Sequence, residues 1–343
     1  MAKFAAENAR IIGIFTESNM RIIFLGDIML GRGVNDLLKK VAPDCVWGNT
    51  LPILVSADAR IANLECVLSD GGSPARKVFT FRSNAKNVAV LKAASIDAVT
   101  LANNHSLDYG SEALADTIGI LEQEKIGYAG AGVSLEKAQT LATIKIGVLT
   151  IGLLAVTDSS EPGWAAEKNK PGVWFLPINP SHEKAQALFE RVRRARQEVN
   201  MLVVSLHWGT NWGYKPEAGH QAFAKALVDA GADIVFGHSS HVCRGVEIYK
   251  SKPIIYSAGN FIDDYAINEI ERNDESFIFA VDTTGEEVKK VSMYPVIISD
   301  CRVNVAVSER VGSMVEWMTE LSIELGSITV WSDVLGTLDI EIK

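Results

Sequence analysis

The residues of this chain best suited to chemistry are histidines that follow apolar, strand-like runs. His105, His238 and His241 lie in two short segments, LANNHSLDYG and FGHSSH, beside asparagine or glycine. His207 ends another apolar run. Ligand-type residues at the carboxyl ends of successive strands converge on one edge of an α/β sheet. The pattern therefore predicts a metal-assisted active site.

Carboxylates and an amide occupy similar places after other strand-like runs. Asp27 follows RIIFLG and Glu65 follows ARIANL, while Asn104 and Asp108 lie on either side of His105. Mixed oxygen and imidazole ligands suit Zn, Mn or Fe better than Ca, and one carboxylate can bridge two ions about 4 Å apart. Each residue alone also fits an ordinary turn or helix cap. Their joint occurrence in this order favours a site for one or two divalent ions.

Length and composition are typical of a globular protein with a full core. The 343 residues, of which 48% are apolar and 22% charged, can form one large α/β domain or two smaller ones. The net charge of −9 argues against nucleic-acid binding, which requires a basic surface. We therefore expect a small-molecule or peptide substrate as the partner, and no nucleic acid.

Cysteine usage and hydropathy indicate the compartment. The four cysteines are far apart and form no CxxC pair, which suits a reducing cytoplasm. The N-terminal apolar run IIGIF is too short for a signal peptide, and no apolar run reaches the 18 residues expected of a membrane helix. The sequence thus predicts a soluble, cytoplasmic protein without a membrane span.

Alternating strand and helix patterns must position the candidate residues. Strand-type runs are predicted at residues 21–25, 59–64, 98–101, 126–129, 141–146, 147–154, 202–206, 234–236, 246–249 and 254–256, with a hairpin at 276–295 and a strand-like tail at 328–342. Helical spacing predicts helices at residues 35–41, 84–94, 111–125, 182–197, 221–230 and 311–325. Ser111 is the expected N-cap of its helix. The three runs between 126 and 154 are expected to be adjacent strands, and His182 and His220 to be exposed.

Six motifs together resemble one protein family. They are GDIMLGR at 26–32, NLE at 63–65, ANNH with DYG at 102–110, HWG at 207–209, GH at 237–238 with His241, and GNF at 259–261. The set resembles the CapA family of capsule and poly-γ-glutamate synthesis proteins, relatives of the calcineurin-like metallophosphoesterases. The resemblance covers residues 21–325 and implies a four-layer α/β/β/α sandwich with mixed β-sheets. It implies an N-terminal extension at 1–20, a catalytic domain at 21–300, and a C-terminal helix and strand at 301–343 packed on that domain.

The resemblance also implies a role for each strand-end residue. The implied ligands of two ions, with Glu65 bridging, are Asp27 and His241 for the first and Asn104, His207 and His238 for the second. The implied catalytic residues are His105 as proton donor or acceptor, Asp108 as its orienting carboxylate, and Arg32 as a clamp for an anionic group. Met29 departs from the pattern, because it stands where metallophosphoesterases carry a histidine and a thioether binds hard ions poorly.

Aromatic and basic residues surround these motifs in the sequence. The aromatic residues either pack beneath long loops or form a wall for a peptide-like substrate; they are Trp164, Trp174, Trp208, Trp212 and Tyr214. We expect substrate contacts from Trp208, Trp212 and Asn260. The nearby bases indicate an anionic substrate; they are Lys77, Arg82 and Lys170.

Three functions are compatible with these residues. The first is a metal-dependent hydrolase that cleaves a phosphoester or a glutamyl or peptide amide, with His105 protonating the leaving group. The second is a capsule or poly-γ-glutamate biosynthesis factor without catalysis of its own. The third is a peptide epimerase that exchanges a Cα proton, with Cys66 and His105 as the acid–base pair.

Overall fold

Two β-sheets packed face to face form the centre of the protein, and helices cover the outer face of each sheet. The computed structural model describes residues 19–161 and 163–342. These residues form a ten-stranded sheet, a six-stranded sheet and two short two-stranded ladders.

The strands in chain order are β1 (Asn19–Ile28), β2 (Ala59–Leu64), β3 (Val67–Leu68), β4 (Arg82–Ser83), β5 (Ala98–Thr100), β6 (Gly127–Ala129), β7 (Ala131–Gly132), β8 (Ala142–Ile146), β9 (Leu149–Thr157), β10 (Gly172–Val173), β11 (Met201–His207), β12 (Ile234–His238), β13 (Val246–Tyr249), β14 (Lys252–Ile255), β15 (Asn260–Ile262), β16 (Glu275–Thr284), β17 (Glu287–Ser299), β18 (Arg302–Val305), β19 (Val330–Ser332) and β20 (Thr337–Glu341). The helices are α1 (Arg32–Leu37), α2 (Leu51–Val55), α3 (Val88–Ala93), α4 (Gly110–Gln123), α5 (Leu135–Ala138), α6 (Glu183–Arg196), α7 (Ala218–Ala230) and α8 (Ser308–Glu324), with 3₁₀ turns at Pro43–Trp47 and Ala85–Asn87. The larger sheet has the order β19-β20-β17-β16-β1-β2-β5-β6, with β15 beside β1 and β18 beside β17, and the smaller has the order β13-β14-β12-β11-β9-β8.

Strand β1 illustrates how the sequence builds the layers. Ile22 and Phe24 face the core between the sheets, where the ring of Phe24 lies 5.1 Å from that of Phe236 in the smaller sheet. Ile23 and Leu25 face the opposite way, into the core beneath α1–α4. Because side chains alternate along a strand, an uninterrupted apolar run is buried on both faces.

A third core covers the outer face of the smaller sheet. Phe189 of α6 and Phe223 of α7 pack there with Leu206 of β11, and the two phenyl rings are 5.4 Å apart. Helices therefore lie outside both sheets. The predicted α/β/β/α sandwich with mixed sheets is confirmed.

Some local predictions are wrong. Strand β6 pairs with β5 in the larger sheet, whereas β8 and β9 pair with each other at the edge of the smaller sheet. The chain therefore changes sheets between runs that were expected to be adjacent. The N-cap of α4 is Tyr109 and not Ser111, and α1 begins at Arg32 and ends at Leu37, earlier than expected. The tail forms the β19–β20 hairpin.

The C-terminal segment packs on the same body as the rest of the chain. Met314 and Met318 of α8 lie in the core between the sheets, and β20 pairs with β17. Residues 1–18 of the expected N-terminal extension lie outside the described residues, and β1 begins at Asn19. Within 19–161 and 163–342, no helix combines the length and apolar character that crossing a bilayer requires.

Parallel strands bring the candidate residues to one edge of the sandwich. β1, β2 and β5 are parallel neighbours in the larger sheet, and β9, β11 and β12 are parallel neighbours in the smaller one. Asp27 lies opposite Asn63 in the larger sheet, and His207 lies opposite His238 in the smaller. Thr100 at the end of β5 approaches His238 across the sheets, at 3.3 Å from Oγ1 to Nε2. The two sets of strand ends therefore meet.

Candidate metal centre

Two groups of candidate ligands meet at this edge and share one carboxylate. Asp27, Glu65 and His241 form one group, and Asp27, His207 and His238 form the other; in each, the ligand atoms lie within 4.8 Å of one another. The first group contains the residues expected to hold the first ion. The second group contains His207 and His238, both expected to bind the second ion, together with Asp27.

Several polar atoms at the centre are buried without a partner. They lie on side chains from four separate segments and find no hydrogen bond among the described residues: Asp27 Oδ2, Glu65 Oε2, Asn104 Oδ1 and His207 Nε2. Buried polar atoms in folded proteins are normally paired, and each one left unpaired costs free energy. All four atoms are of types that bind divalent metals. The donor set therefore fits a metal ion.

Burial keeps the two strand-end histidines neutral. It lowers the pKa of His238 to about 3 and holds the pKa of His207 well below its usual value. Their Nδ1 atoms are 2.8 Å apart, and the Nε2 atom of His238 lies 2.8 Å from Ser205 Oγ. Neutral imidazole is the form that binds metals, and a hydrogen bond at the second ring nitrogen fixes the ring.

Burial shifts the pKa values of the two carboxylates, Asp27 and Glu65, upward, the opposite direction to the shift of the histidines. Burial and the nearby charge of Asp27 raise the pKa of Glu65 well above its ordinary value. Burial also raises the pKa of Asp27, and the charge of His241 opposes that rise. Like charges taken out of water resist ionisation together unless a cation neutralises them. A bound cation would therefore relieve the main electrostatic cost of this pair.

Strand irregularity and close backbone contact set the position of Asp27. The register of β1 shifts at this residue, against both β2 and β15. A Cβ at Gly26 would lie 2.0 Å from the carbonyl oxygen of Gly259, so glycine is needed where β1 passes this segment. The carboxylate also accepts a hydrogen bond from Asn63, 2.7 Å from Nδ2 to Oδ1.

His105 lies beside the candidate ligands with its ring held on two sides. Its Nδ1 lies 2.6 Å from Asp108 Oδ2, and its ring stacks on Phe81 with centroids 4.0 Å apart. Its Nε2 lies 4.0 Å from Glu65 Oε1. A carboxylate at Nδ1 favours the tautomer with the proton on that atom. Nε2 is thereby left to exchange a proton at the centre.

Lys77 occupies a position that sequence reasoning missed. Its Nζ lies 3.0 Å from Asp108 Oδ1 and donates a hydrogen bond to the carbonyl oxygen of Asn104 at 2.6 Å. The ammonium also lies 5.0 Å from the ring centroid of Trp164. We expected Lys77 to attract an anionic ligand, but the structure commits its charge to Asp108. No spacing in the surrounding loop signals this contact.

Arg32 lies among aromatic rings next to the centre. Its guanidinium carbon is 5.7–5.9 Å from the ring centroids of Phe79, Phe81 and Tyr265, and its Nε lies 3.2 Å from Asp264 Oδ2. Sequence reasoning also missed Tyr265, whose hydroxyl is buried without a partner in the described part of the chain. Arg32 retains 39% of its side-chain exposure and remains accessible to an anion.

The three expected substrate contacts lie in different surroundings. Trp208 is 1% exposed and donates a hydrogen bond to the carbonyl oxygen of Tyr256, so it is a core residue and cannot form a substrate wall. Trp212 is 41% exposed, with its ring 5.8 Å from that of His241. Asn260 is fully buried, and its Oδ1 lies 2.9 Å from His241 Nδ1. Asn260 therefore lies behind His241.

The structure bears on two further residues from the sequence analysis. The thioether of Met29 accepts a hydrogen bond from the backbone of Gly31 at 3.1 Å. His220 is buried, contrary to expectation, because it faces inward from α7 between Glu217 and Asp158.

The Cys66 thiol is a poor acid–base group. The side chain is 1% exposed and lies in the core beneath α1–α4. Burial raises the pKa of Cys66 to about 12, so the thiol stays protonated near neutral pH. These surroundings suit a core residue better than a partner for His105 in proton exchange.

The family model and the related sequences agree with the motif resemblance. The family model described as "Bacterial capsule synthesis protein PGA_cap" matches residues 21–265. A "Probable polyglutamine synthesis accessory protein" of Mycobacterium tuberculosis is 34% identical over 282 residues, covering 71% of this chain and 74% of that protein. The "PGA biosynthesis protein CapA" of Bacillus subtilis is 33% identical over 253 residues, covering 73% of this chain and 65% of that protein. A crystal structure of a hypothetical protein from Thermus thermophilus aligns with a TM-score of 0.49 at 16% identity, covering 80% of this chain and 98% of that one.

Proposed function

This chain belongs to the bacterial capsule synthesis protein family PGA_cap, and on that premise we propose that it is a metal-dependent hydrolase. Its substrate in this proposal is an anionic phosphoester or a glutamyl or peptide amide. The observation that carries the proposal is the set of unpartnered, buried ligand atoms next to His105, a histidine already oriented by Asp108. Perturbed, buried ionisable groups that converge on one site are a mark of catalytic centres.

The residues divide the work of the reaction. Asp27, Glu65 and His241 would hold one ion, and His207 and His238, with Asp27 and Asn104, a second. When bound, Zn, Mn or Fe would polarise the scissile group and activate water. Arg32 would bind the anionic group of the substrate through its exposed guanidinium.

His105 would move the proton. Asp108 keeps the Nδ1 position occupied, so Nε2 is the atom that exchanges a proton: the neutral ring takes one there from the attacking water and, as imidazolium beside Asp108, gives it to the leaving group. Phe81 covers one face of the ring and excludes water from it. Lys77 balances the charge of Asp108 through an ion pair inside the protein.

Metal content and hydrolysis test the proposal together. Protein purified without chelator would be analysed for Zn, Mn and Fe, then assayed on p-nitrophenyl phosphate, bis-p-nitrophenyl phosphate and γ-glutamyl-p-nitroanilide. We expect bound metal and hydrolysis of at least one substrate that chelator abolishes and the metal restores. His105→Asn should retain the metal and lose the hydrolysis. Protein that binds no metal and hydrolyses none of the three would refute the proposal.

A non-catalytic role in capsule assembly is the second candidate. The names of the relatives, a synthesis accessory protein and a biosynthesis protein, favour it. It predicts that His105→Asn and the wild-type chain support capsule formation equally in cells that lack the native gene. A hydrolase predicts that only the wild-type chain does so.

The cytoplasmic location is also part of the proposal. All four cysteines are free thiols in the described part of the chain, as expected in a reducing compartment. Cell fractionation with an antibody against the chain, with enzymes of known compartments as markers, measures the location directly.

A further inference from the structure

The loop that supplies Lys77 and Phe81 also projects two apolar side chains into solvent. Val78 is 88% exposed and Phe79 is 59% exposed. Single exposed apolar residues are common, but adjacent ones beside a catalytic centre mark a contact surface. We call Val78 and Phe79 the apolar tip.

The apolar tip is held in place on both sides. Before it, the backbone N–H of Ala75 donates to the carbonyl oxygen of Asp108 at 2.8 Å, and Lys77 pairs with the carboxylate of the same residue. After it, the backbone N–H of Phe81 donates to Asp108 Oδ2 at 2.5 Å. The two exposed side chains are therefore presented by an anchored loop at a fixed distance from Asp108.

Arg32 connects the apolar tip to the metal centre. Its guanidinium lies 5.9 Å from the ring of Phe79 and 5.7 Å from the ring of Phe81, which stacks on His105. Tyr265, also 5.9 Å from the guanidinium, lies 5.3 Å from the ring of His241. A ligand with its anionic group between Arg32 and the metal ligands would place its next atoms on Phe79.

From this arrangement we propose that the substrate is amphipathic, with an anionic group bound at Arg32 and the metal centre and an apolar substituent lying on Val78 and Phe79. The proposal rests on the proposed function, since it concerns the substrate of the same site. Positive charge beside exposed apolar surface matches the two parts of such a molecule. Transfer of each methylene group from water to an apolar surface is favourable and scales with the area covered.

Binding of alkyl phosphates to the metal-loaded protein tests the proposal without relying on turnover. Methyl, butyl and octyl phosphate would be titrated by calorimetry, with octyl phosphate kept below its micellar concentration. We expect affinity to increase with chain length, with octyl phosphate binding about tenfold more tightly than methyl phosphate. Octyltrimethylammonium, which joins the same chain to a cationic group, should not bind.

Variants assign the chain-length effect to the apolar tip. The ratio of octyl to methyl phosphate affinity should fall toward one in Val78→Ser/Phe79→Ser. It should keep its wild-type value in Val148→Ser, which changes a valine that is 90% exposed in the β8–β9 turn. An unchanged ratio in the double variant, or equal affinities in the wild-type protein, would overturn the proposal.

Three outcomes separate this proposal from others. If methyl phosphate binds but chain length has no effect, the amphipathic substrate is wrong and the anion-binding centre stands. If no alkyl phosphate binds and no hydrolysis occurs, the proposed function fails and this proposal fails with it. Sedimentation that shows self-association lost in the double variant would assign the apolar tip to a second copy of this chain and overturn the proposal.

Discussion

The two sheets contribute to the candidate metal centre in different ways. His207 and His238 are the last residues of regular parallel strands in matched register. Asp27 lies where the register of β1 shifts. His241 lies in a turn with a φ of 48°, a backbone conformation that residues other than glycine rarely adopt. The smaller sheet thus supplies ligands from regular structure, while the larger sheet and the turn supply them from strained or irregular backbone.

This difference indicates how each half of the candidate centre is stabilised, where one half is the pair His207 and His238 and the other is the pair Asp27 and His241. Strand hydrogen bonds and packing hold the His207–His238 half, and they would persist if one ligand contact were lost. The Asp27–His241 half depends on specific polar contacts, with Asn63 at Asp27 and Asn260 at His241. Strained residues persist only where their surroundings impose the conformation.

Removing the shared ligand should have the largest effect. Asp27→Asn removes a charged ligand from both groups, so we expect loss of both ions and a fall in kcat/KM of about a thousandfold or more. Metal analysis and p-nitrophenyl phosphate hydrolysis measure the two effects. If one ion keeps its wild-type affinity, the two groups do not share Asp27.

Removing one supporting contact from each half should give unequal effects. We expect Asn260→Ala to lower the affinity for one ion by about 10–100-fold, because His241 loses the group that orients it. Ser205→Ala should cost less, since Thr100 remains within 3.3 Å of His238 Nε2. Competition with a chromogenic chelator measures both affinities. Equal losses in the two variants would contradict the difference between the halves.

Substitution of Lys77 tests the proposed proton-transfer residues, His105 and Asp108, which lie outside both ligand groups. Lys77→Met should lower kcat about tenfold with little change in KM, because Asp108 loses its counter-charge while the substrate loses no contact. Lys77→Arg should recover part of the activity. An increase in KM alone would show that Lys77 binds substrate directly.

The smallest effect is expected on the free energy of unfolding, from the buried carboxyl group of Asp263 near Asp27. Burial raises the pKa of Asp263 from 3.8 to about 7, so the folded protein holds this proton more tightly than the unfolded chain does. Its contribution to stability is complete below pH 3.8 and is lost as pH rises through 7. Between pH 6 and pH 8 the free energy of unfolding should fall by about 1 kcal/mol more in the wild-type protein than in Asp263→Asn. Urea unfolding at both pH values measures the difference, and equal falls would contradict it.

The strand-end residues could be predicted from sequence because strand patterns and polar punctuation are local signals. Parallel pairing then brings distant strand ends together without further information. Lys77, Phe81 and Tyr265 could not be predicted in this way, because loops without periodicity carry them and long-range contacts fix their positions. No local signal marks the contact of Lys77 with Asp108.

Two errors had a different cause. His220 was expected on the surface because its neighbours are charged, yet it shares a helical stripe with Phe223, Ala224 and Leu227 at the spacing of a buried face. That spacing was visible in the sequence. Trp208 is expected to contact substrate with the other aromatic residues around the motifs, but it directly follows His207, the last residue of β11, and side chains alternate in direction along an extended chain. Its indole lies in the core outside the smaller sheet.

The anchored loop keeps the residues proposed to contact the substrate apart from those proposed to carry out the chemistry. Asp108 fastens both ends of the loop, and Val78 and Phe79 between those anchors are exposed to solvent. Under the amphipathic-substrate proposal, replacement of these two residues would alter which substrate binds and leave the proposed chemistry intact. Replacement of Asp108 would disturb both substrate binding and the proposed chemistry. Under that proposal, descendants of one gene could change their substrate by substitutions at only two positions.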